Sequence, residues 1–229
     1  MAKVKYGEMI ADMRGKINGT VHSKNTYGQY MRNKVTPVNP NTSSQASVRA
    51  NFGSIAQAWR SLTDAQRFAW KQASVNFATT NIFGDSFQYT GFNLHSKINR
   101  ILFTIGQAYV SSPPTPTQVT NVYIASLAVA IGAASVTATY PTAIPVGESV
   151  VVRATAPVSA GKSFVKSEYR QLTVLTSADA SPRNLFGLYT ALFGAITGKA
   201  GQKVFMSFTP VTNTGIEGVE SSQSAIIVA

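Results

Sequence analysis

The stretch "APVSAGKS", residues 156–163, satisfies the relaxed phosphate-binding loop pattern with Ala156 in first position and Lys162 as the phosphate lysine. Such a loop needs a strand before it and a helix directly after it, so that backbone N–H groups and a helix N-terminus converge on phosphate. "SVVVRA" can supply the strand. "FVKSEYRQLTVLTS" is strand-like where the helix should be, and Pro157 sits inside the would-be cradle. No apolar strand ending in Asp offers a magnesium carboxylate. The segment is therefore expected to be an ordinary loop. His22 and His95 stand alone, with neither an HExxH pattern nor a carboxylate pair nearby. The nine acidic residues are spread singly, and no GxSxG elbow marks a nucleophilic serine. With no cysteine, thiol chemistry, disulfides and thiolate metal ligands are excluded. These residues predict no enzyme, no catalytic set, no cofactor and no metal.

The cations are more informative. Residues 1–50 hold eight Lys/Arg and two acids, a net of +6; residues 51–112 net +3 and residues 113–229 net +2. Lys16, Lys24, Arg32, Lys34 and Arg49 alternate with Tyr6, Tyr27 and Tyr30. That mixture can hold phosphates and stack on bases, or it can face acidic patches on a protein. No helix-turn-helix, zinc or aromatic sheet motif of a nucleic-acid module is present. A partner-docking set of Arg14, Lys16, Tyr27, Tyr30, Arg32 and Lys34 is expected, with DNA or RNA binding as the alternative.

The elements that must carry these residues divide into four segments. Residues 1–41 read as an extended basic arm, with turn signals at Asn18-Gly19 and Tyr27-Gly28 that allow a loose hairpin. Pro37 and Pro40 then enforce extended chain. Residues 42–110 read as a small three-helix domain. Thr42 with Gln45 and Thr63 with Gln66 have capping-box spacing. Phe52, Ile55, Trp59, Trp70 and Phe77 are the expected helical core, and Leu94, Ile98, Ile101, Leu102 and Ile105 mark the third helix. Phe68 points away from its helix's apolar stripe, which calls for a second contact surface. "SSPPTPTQ", residues 111–118, reads as a stiff Pro-rich linker. Residues 119–229 carry about seven short Val/Thr/aromatic runs, the pattern of an immunoglobulin-like or fibronectin type III-like (Ig/FnIII-like) β-sandwich, with a helix expected to start at Ser181-Pro182 and stop at Gly194. The fold class is thus α+β and multi-domain. The opening residues lack the apolar run of a secretory signal, and no apolar run reaches membrane-spanning length. A soluble protein made in the cytoplasm, with no membrane partner, is expected.

The lead "MRGKINGTVHSKNTYGQYMRNKVTPVNPNTSSQASVRANFGSIAQAWRSLTDAQRFAWKQAS" resembles a family of virion structural proteins of crAss-like and related tailed phages and prophages. The shared features are a glycine-punctuated basic lead, "P-x-N-P-x-T-x-x-Q" and "W-x-x-L-T-x-x-Q-R-x-A-W". The match covers about the first 77 residues, and the rest more loosely. The resemblance implies a non-enzymatic virion component, an accessory capsid or neck/tail (head–tail connector) protein. It implies capsid, portal or neck/tail subunits as partners and multicopy or homo-oligomeric assembly in the particle. The family supplies no catalytic residues to carry over.

Overall fold

Backbone pairing begins at the N-terminus, where the sequence offers few apolar residues. The structure is a computed structural model and describes residues 2–25, 28–80 and 83–229. It is mixed α+β, with four α-helices and a large curled seven-stranded sheet among the described residues. It divides into two compact units. One runs to Lys97 and includes Ser111–Pro113; the other comprises Ile98–Val110 and Pro114–Ala229.

In the first unit, β1 (Ala2–Lys3), β2 (Gly15–Ile17), β3 (Thr20–Asn25) and β4 (Gly28–Asn33) form an antiparallel sheet in the order β1-β4-β3-β2. The segment expected as an extended arm is therefore in part a sheet. Asn18, at φ 49°, makes the two-residue turn that sets Ile17 opposite Thr20, and the flanking residues can then satisfy one another's N–H and C=O groups. Residues 4–14, between β1 and β2, and residues 34–42, before the first helix, have no regular secondary structure.

Both capping boxes form as their spacing predicts. Thr42 Oγ1 accepts from Gln45 N (3.3 Å) at the start of α1 (Ser43–Ser61). Thr63 Oγ1 accepts from Gln66 N (3.3 Å), and Gln66 Oε1 accepts from Thr63 N (2.9 Å), at the start of α2 (Asp64–Ala73). A 3-10 turn over Ser74–Phe77 and a short ribbon of β5 (Thr79–Thr80) and β6 (Ser86–Phe87) lead to α3 (Gly91–Thr104). A Cβ on Gly91 would lie 3.0 Å from Lys71 N and 3.4 Å from Trp59, so only glycine lets α3 begin this close to its neighbours.

α3 is not the third member of a self-contained bundle, as the sequence suggested. From Ile98 onward it belongs to the second unit, where Ile101 clusters with Val151 and Val211, flanked by Ile105 and Val174. That packing covers the outer side of strands whose inner side is already buried. The helix ends at Thr104 and the chain turns away at Gly106 (φ 74°); Asn99, fully buried, then accepts from Val110 N (2.8 Å) and donates to Val110 O (3.3 Å).

The second unit contains β7 (Ser126–Ala130), β8 (Ser135–Thr139), β9 (Glu148–Ala154), β10 (Arg170–Thr176), β11 (Arg183–Asn184), α4 (Phe186–Phe193), β12 (Lys203–Thr212) and β13 (Ser221–Val228). The strand order is β10-β9-β12-β13-β7-β8-β11. β13 makes the curl. Ser221–Ile226 pair antiparallel with β12, and Ile227 and Val228 then pair parallel with Val129 and Ala130 of β7. Inside the curl, Val136, Ala138 and Tyr140 meet Val150, Val152, Val204, Met206 and Phe208, with Tyr140 edge-on to Phe208 at 5.8 Å. Tyr189 closes this core from α4, donating to Thr155 O (2.7 Å), and burial pushes its phenol well above the ordinary range.

α4 starts later than Ser181-Pro182. Ser181 Oγ instead accepts from Tyr140 N (2.9 Å), Arg183 and Asn184 pair with β8, and Asn184 Oδ1 receives the N–H groups of Phe186 and Val136. The helix stop at Gly194, φ 81°, lies where the sequence placed it.

Candidate docking surface

The register of the N-terminal sheet sorts the predicted docking residues. Lys16 faces Val21, and Val21 faces Arg32, in one row across β2, β3 and β4. Ser23, Tyr30 and Lys3 form the next row on the same face, because side chains two apart along a strand share a side. Lys16, Tyr30 and Arg32 are thereby brought together, with Lys3 added. Lys16 and Arg32 are exposed and Tyr30 is half-buried. Lys24 pairs with Gln29 on the opposite face. That face is overlaid by residues 6–12: Tyr6 Oη lies 2.9 Å from His22 Nδ1, and Gln29 Nε2 donates to Ala11 O (3.0 Å).

The other predicted docking residues lie elsewhere. Arg14 precedes β2 and is tied to Asp12 at 2.9 Å. Lys34 sits at the start of the extended strap, its backbone N–H donating to Gly19 O. Tyr27 lies outside the described residues. The common face of Lys16, Tyr30 and Arg32 could have been found by pairing "GKI" with "TVHSKN" and that run with "GQYMRN", since every second residue of a strand falls together; Lys3 lies outside these runs, and no sequence signal marks it.

The expected helical core is only partly a core. Ile55 and Trp70 are buried, Trp59 and Phe77 are half-buried, and Phe52 is 55% exposed. Phe52 falls on the apolar stripe at the middle of α1, where Phe92 of α3 meets its ring edge-on at 6.5 Å without covering it. Val48, one turn earlier, is also exposed. Trp70 donates from Nε1 to Ser111 O (2.8 Å), which fixes the start of the Pro-rich segment. Trp59 and Trp70 do not simply pair with each other. His95 of α3 lies between them, with ring centroids at 5.2 and 5.1 Å, and burial lowers its pKa. This lone histidine is a core residue. Beside the group, a cleft of about 680 Å³ is lined by Trp59, Phe68, Lys71, Tyr89 and Phe92, and Phe68 is largely exposed in it.

Among the described residues, no hydrophobic residue before Ile55 is buried, although the second unit buries two dozen. Exposed large apolar residues are frequent in the same region: Met9, Ile17, Val35 (67%), Val38 (87%), Val48 and Phe52. Elsewhere the chemistry is bland. Lys162 of the phosphate-loop look-alike pairs with Glu168, and turns followed by β10, not a helix, come after it. Among the described residues no cluster of His, Cys, Asp or Glu could hold a metal ion. No helix among them is long and apolar enough to cross a membrane.

No protein-family model matches the chain, and neither does any curated protein or solved structure.

Proposed function

We propose that this chain is a non-enzymatic structural component of a bacteriophage virion, an accessory capsid or neck/tail protein that docks on neighbouring subunits through its basic N-terminal unit. The observation that carries the reading is the sheet, strap and helix face of residues 2–54, which have defined backbone structure and bury no hydrophobic residue among those described. A small sheet needs an apolar face covered by something to be stable. Holding the nine residues 34–42 extended costs roughly 1–2 kcal/mol each in backbone entropy. Both costs are offset when a partner surface supplies the missing contacts. The partner is acidic, because the open face presents Lys16 and Arg32 and α1 contains no acidic residue.

The strand order supports the finer reading of the second unit as an Ig/FnIII-like module. Cut at β13, the order falls into a three-stranded half, β7-β8-β11, and a four-stranded half, β10-β9-β12-β13, with the core between them. That is the division of strands in such sandwiches. The module would present the docking unit in many copies on a particle.

Deleting residues 1–41 tests the docking reading. The shortened protein should keep its cooperative melting transition yet fail to enter particles, and normal copy number without those residues would overturn the proposal. One observation favours a second reading, a DNA- or RNA-binding protein packaged in the virion: Tyr30 shares its face with Lys3, Lys16 and Arg32. In that case the full chain binds duplex with a steep salt dependence, and the shortened protein still enters particles.

A further inference from the structure

In the second unit, β10, β9, β12 and β13 bury one face and turn the other outward. Val152, Ala154, Val204, Met206 and Phe208 point into the core, so Arg153, Phe205 and Ser207 point out. The register aligns Arg153, Ser207 and Ser222 in one outward row. Over this row lies a cleft of about 630 Å³, walled by Ser163–Lys166 and Tyr169 and by Arg100 and Glu220. Three cations and one carboxylate line it. None of Arg100, Arg153 and Lys166 forms an ion pair among the described residues, whereas Lys162 and Arg183 of the same unit each pair with a neighbouring acid. Arg153 is half-buried, and its Nη1 donates to Thr209 Oγ1 (3.0 Å), which holds the guanidinium in place with its other N–H groups to spare. Ser207, in the middle of the row, is fully buried and its hydroxyl has no hydrogen-bond partner. Phe164 stands 74% exposed at the wall.

We propose that this cleft binds an acidic polypeptide segment of a different protein. Its carboxylates would meet the fixed guanidinium of Arg153 and the mobile cations Arg100 and Lys166, and an apolar side chain of the segment would cover Phe164. A planar, pre-positioned guanidinium suits a carboxylate, which it can hold through two parallel N–H bonds. The volume lies within the range of sites that enclose a few residues of a ligand. A second copy of this chain is a poor source, since its nine acids are scattered and no two are closer than Glu217 and Glu220. A nucleic acid is disfavoured by cations that converge on one cleft where a phosphate backbone needs them along a track.

The test uses the full chain and a fluorescein-labelled peptide of sequence Asp-Leu-Asp-Ser-Asp-Leu, read by anisotropy. Its Asn-for-Asp counterpart and a hexamer of deoxythymidine serve as comparisons. Saturable binding of the acidic peptide is expected, weakened about tenfold or more in the Asn peptide and in Arg153→Gln. Lys166→Gln, in an exposed loop where folding is not at stake, should weaken it severalfold. The double variant Lys16→Gln/Arg32→Gln should leave it unchanged, which separates this cleft from the N-terminal docking face. Equal binding of the Asn peptide, indifference to both Arg153→Gln and Lys166→Gln, loss in the Lys16/Arg32 variant, or tighter binding of the oligonucleotide would each overturn the proposal.

Discussion

Lowering the pH should loosen the N-terminal unit through one residue. His95 is buried between Trp59 and Trp70, and burial lowers its pKa from the ordinary value of 6.5. The folded state therefore favours the neutral ring, while the unfolded chain takes up a proton as pH falls through that value. Stability is fully present above about pH 6.5 and declines below it, until the folded-state pKa is reached. One proton taken up only on unfolding sets the steepest slope at about 1.4 kcal/mol per pH unit. With a urea dependence of about 1–3 kcal/mol per molar, the midpoint should fall as the pH is lowered from 6.5, by at most roughly 0.5–1.4 M per pH unit. The assay is built into the chain, because its only two tryptophans are the two that flank His95. Urea unfolding followed by tryptophan fluorescence at pH 7.5, 6.5, 6.0 and 5.5 measures the effect, with His95→Gln as the control that removes the slope. A midpoint independent of pH in the wild type, or a slope that survives in His95→Gln, refutes the reasoning.

Gly215→Ala should be among the most damaging substitutions in the second unit. At φ 83° an added Cβ lies 2.9 Å from Ile98 Cγ2 and 3.0 Å from Ile98 O, so left-handed strain of about 1–2 kcal/mol adds to overpacking of about 1–3 kcal/mol. The melting temperature should drop by several degrees, and an unchanged one would contradict the packing of α3 against this turn. Tyr189→Phe leaves the Thr155 carbonyl without its buried donor and should cost about 1–3 kcal/mol in denaturant unfolding. Trp70→Ala should cost more than Trp59→Ala, since only Trp70 is wholly buried, with about 3–5 kcal/mol expected for the former; equal losses of helicity on heating would argue against that ranking. Lys162→Ala should be close to silent in melting, because its pair with Glu168 is well solvated, and no saturable nucleotide binding should be seen by calorimetry in the parent protein.

Much of the architecture is legible where one residue acts on its own neighbours. Thr42 and Thr63 predict their helices because a capping hydroxyl and a glutamine three residues on need nothing else to bond. The alternation in Lys203–Thr212 predicts a strand for a similarly local reason. What depends on distant partners is not legible. Phe52 belongs to a helical stripe, yet whether a stripe is covered depends on what packs against it. Ile101 has the spacing of a bundle helix, but its partners Val151 and Val211 come from strands 50 and 110 residues onward. Ser181-Pro182 has the local form of a helix start, and the pairing of Arg183–Asn184 with β8 overrides it. For the docking face, the cations were visible and their rows were not. The Asn18-Gly19 turn sets the β2–β3 register, but Arg32 joins the row through the pairing of β3 with β4, where a shift of one residue would have put it on the other side.

The pairing of β13 with both β12 and β7 has a consequence for how fast the protein reaches its native state. Val129 and Ile227 are 227 − 129 = 98 residues apart, and their contact is the step that joins the two halves of the sheet. Closing so long a segment must precede the burial that rewards it, and topologies dominated by such contacts fold in milliseconds to seconds. During synthesis, every strand from β7 to β12 emerges before Ile227 does. For that interval Val129 and Val204 lie on open edges, and their apolar neighbours are available to other nascent copies. A late-closing sheet of this kind is a reason for aggregation to respond to expression rate more than to equilibrium stability. Slowing synthesis should raise the soluble yield, even for variants whose melting temperature is unchanged.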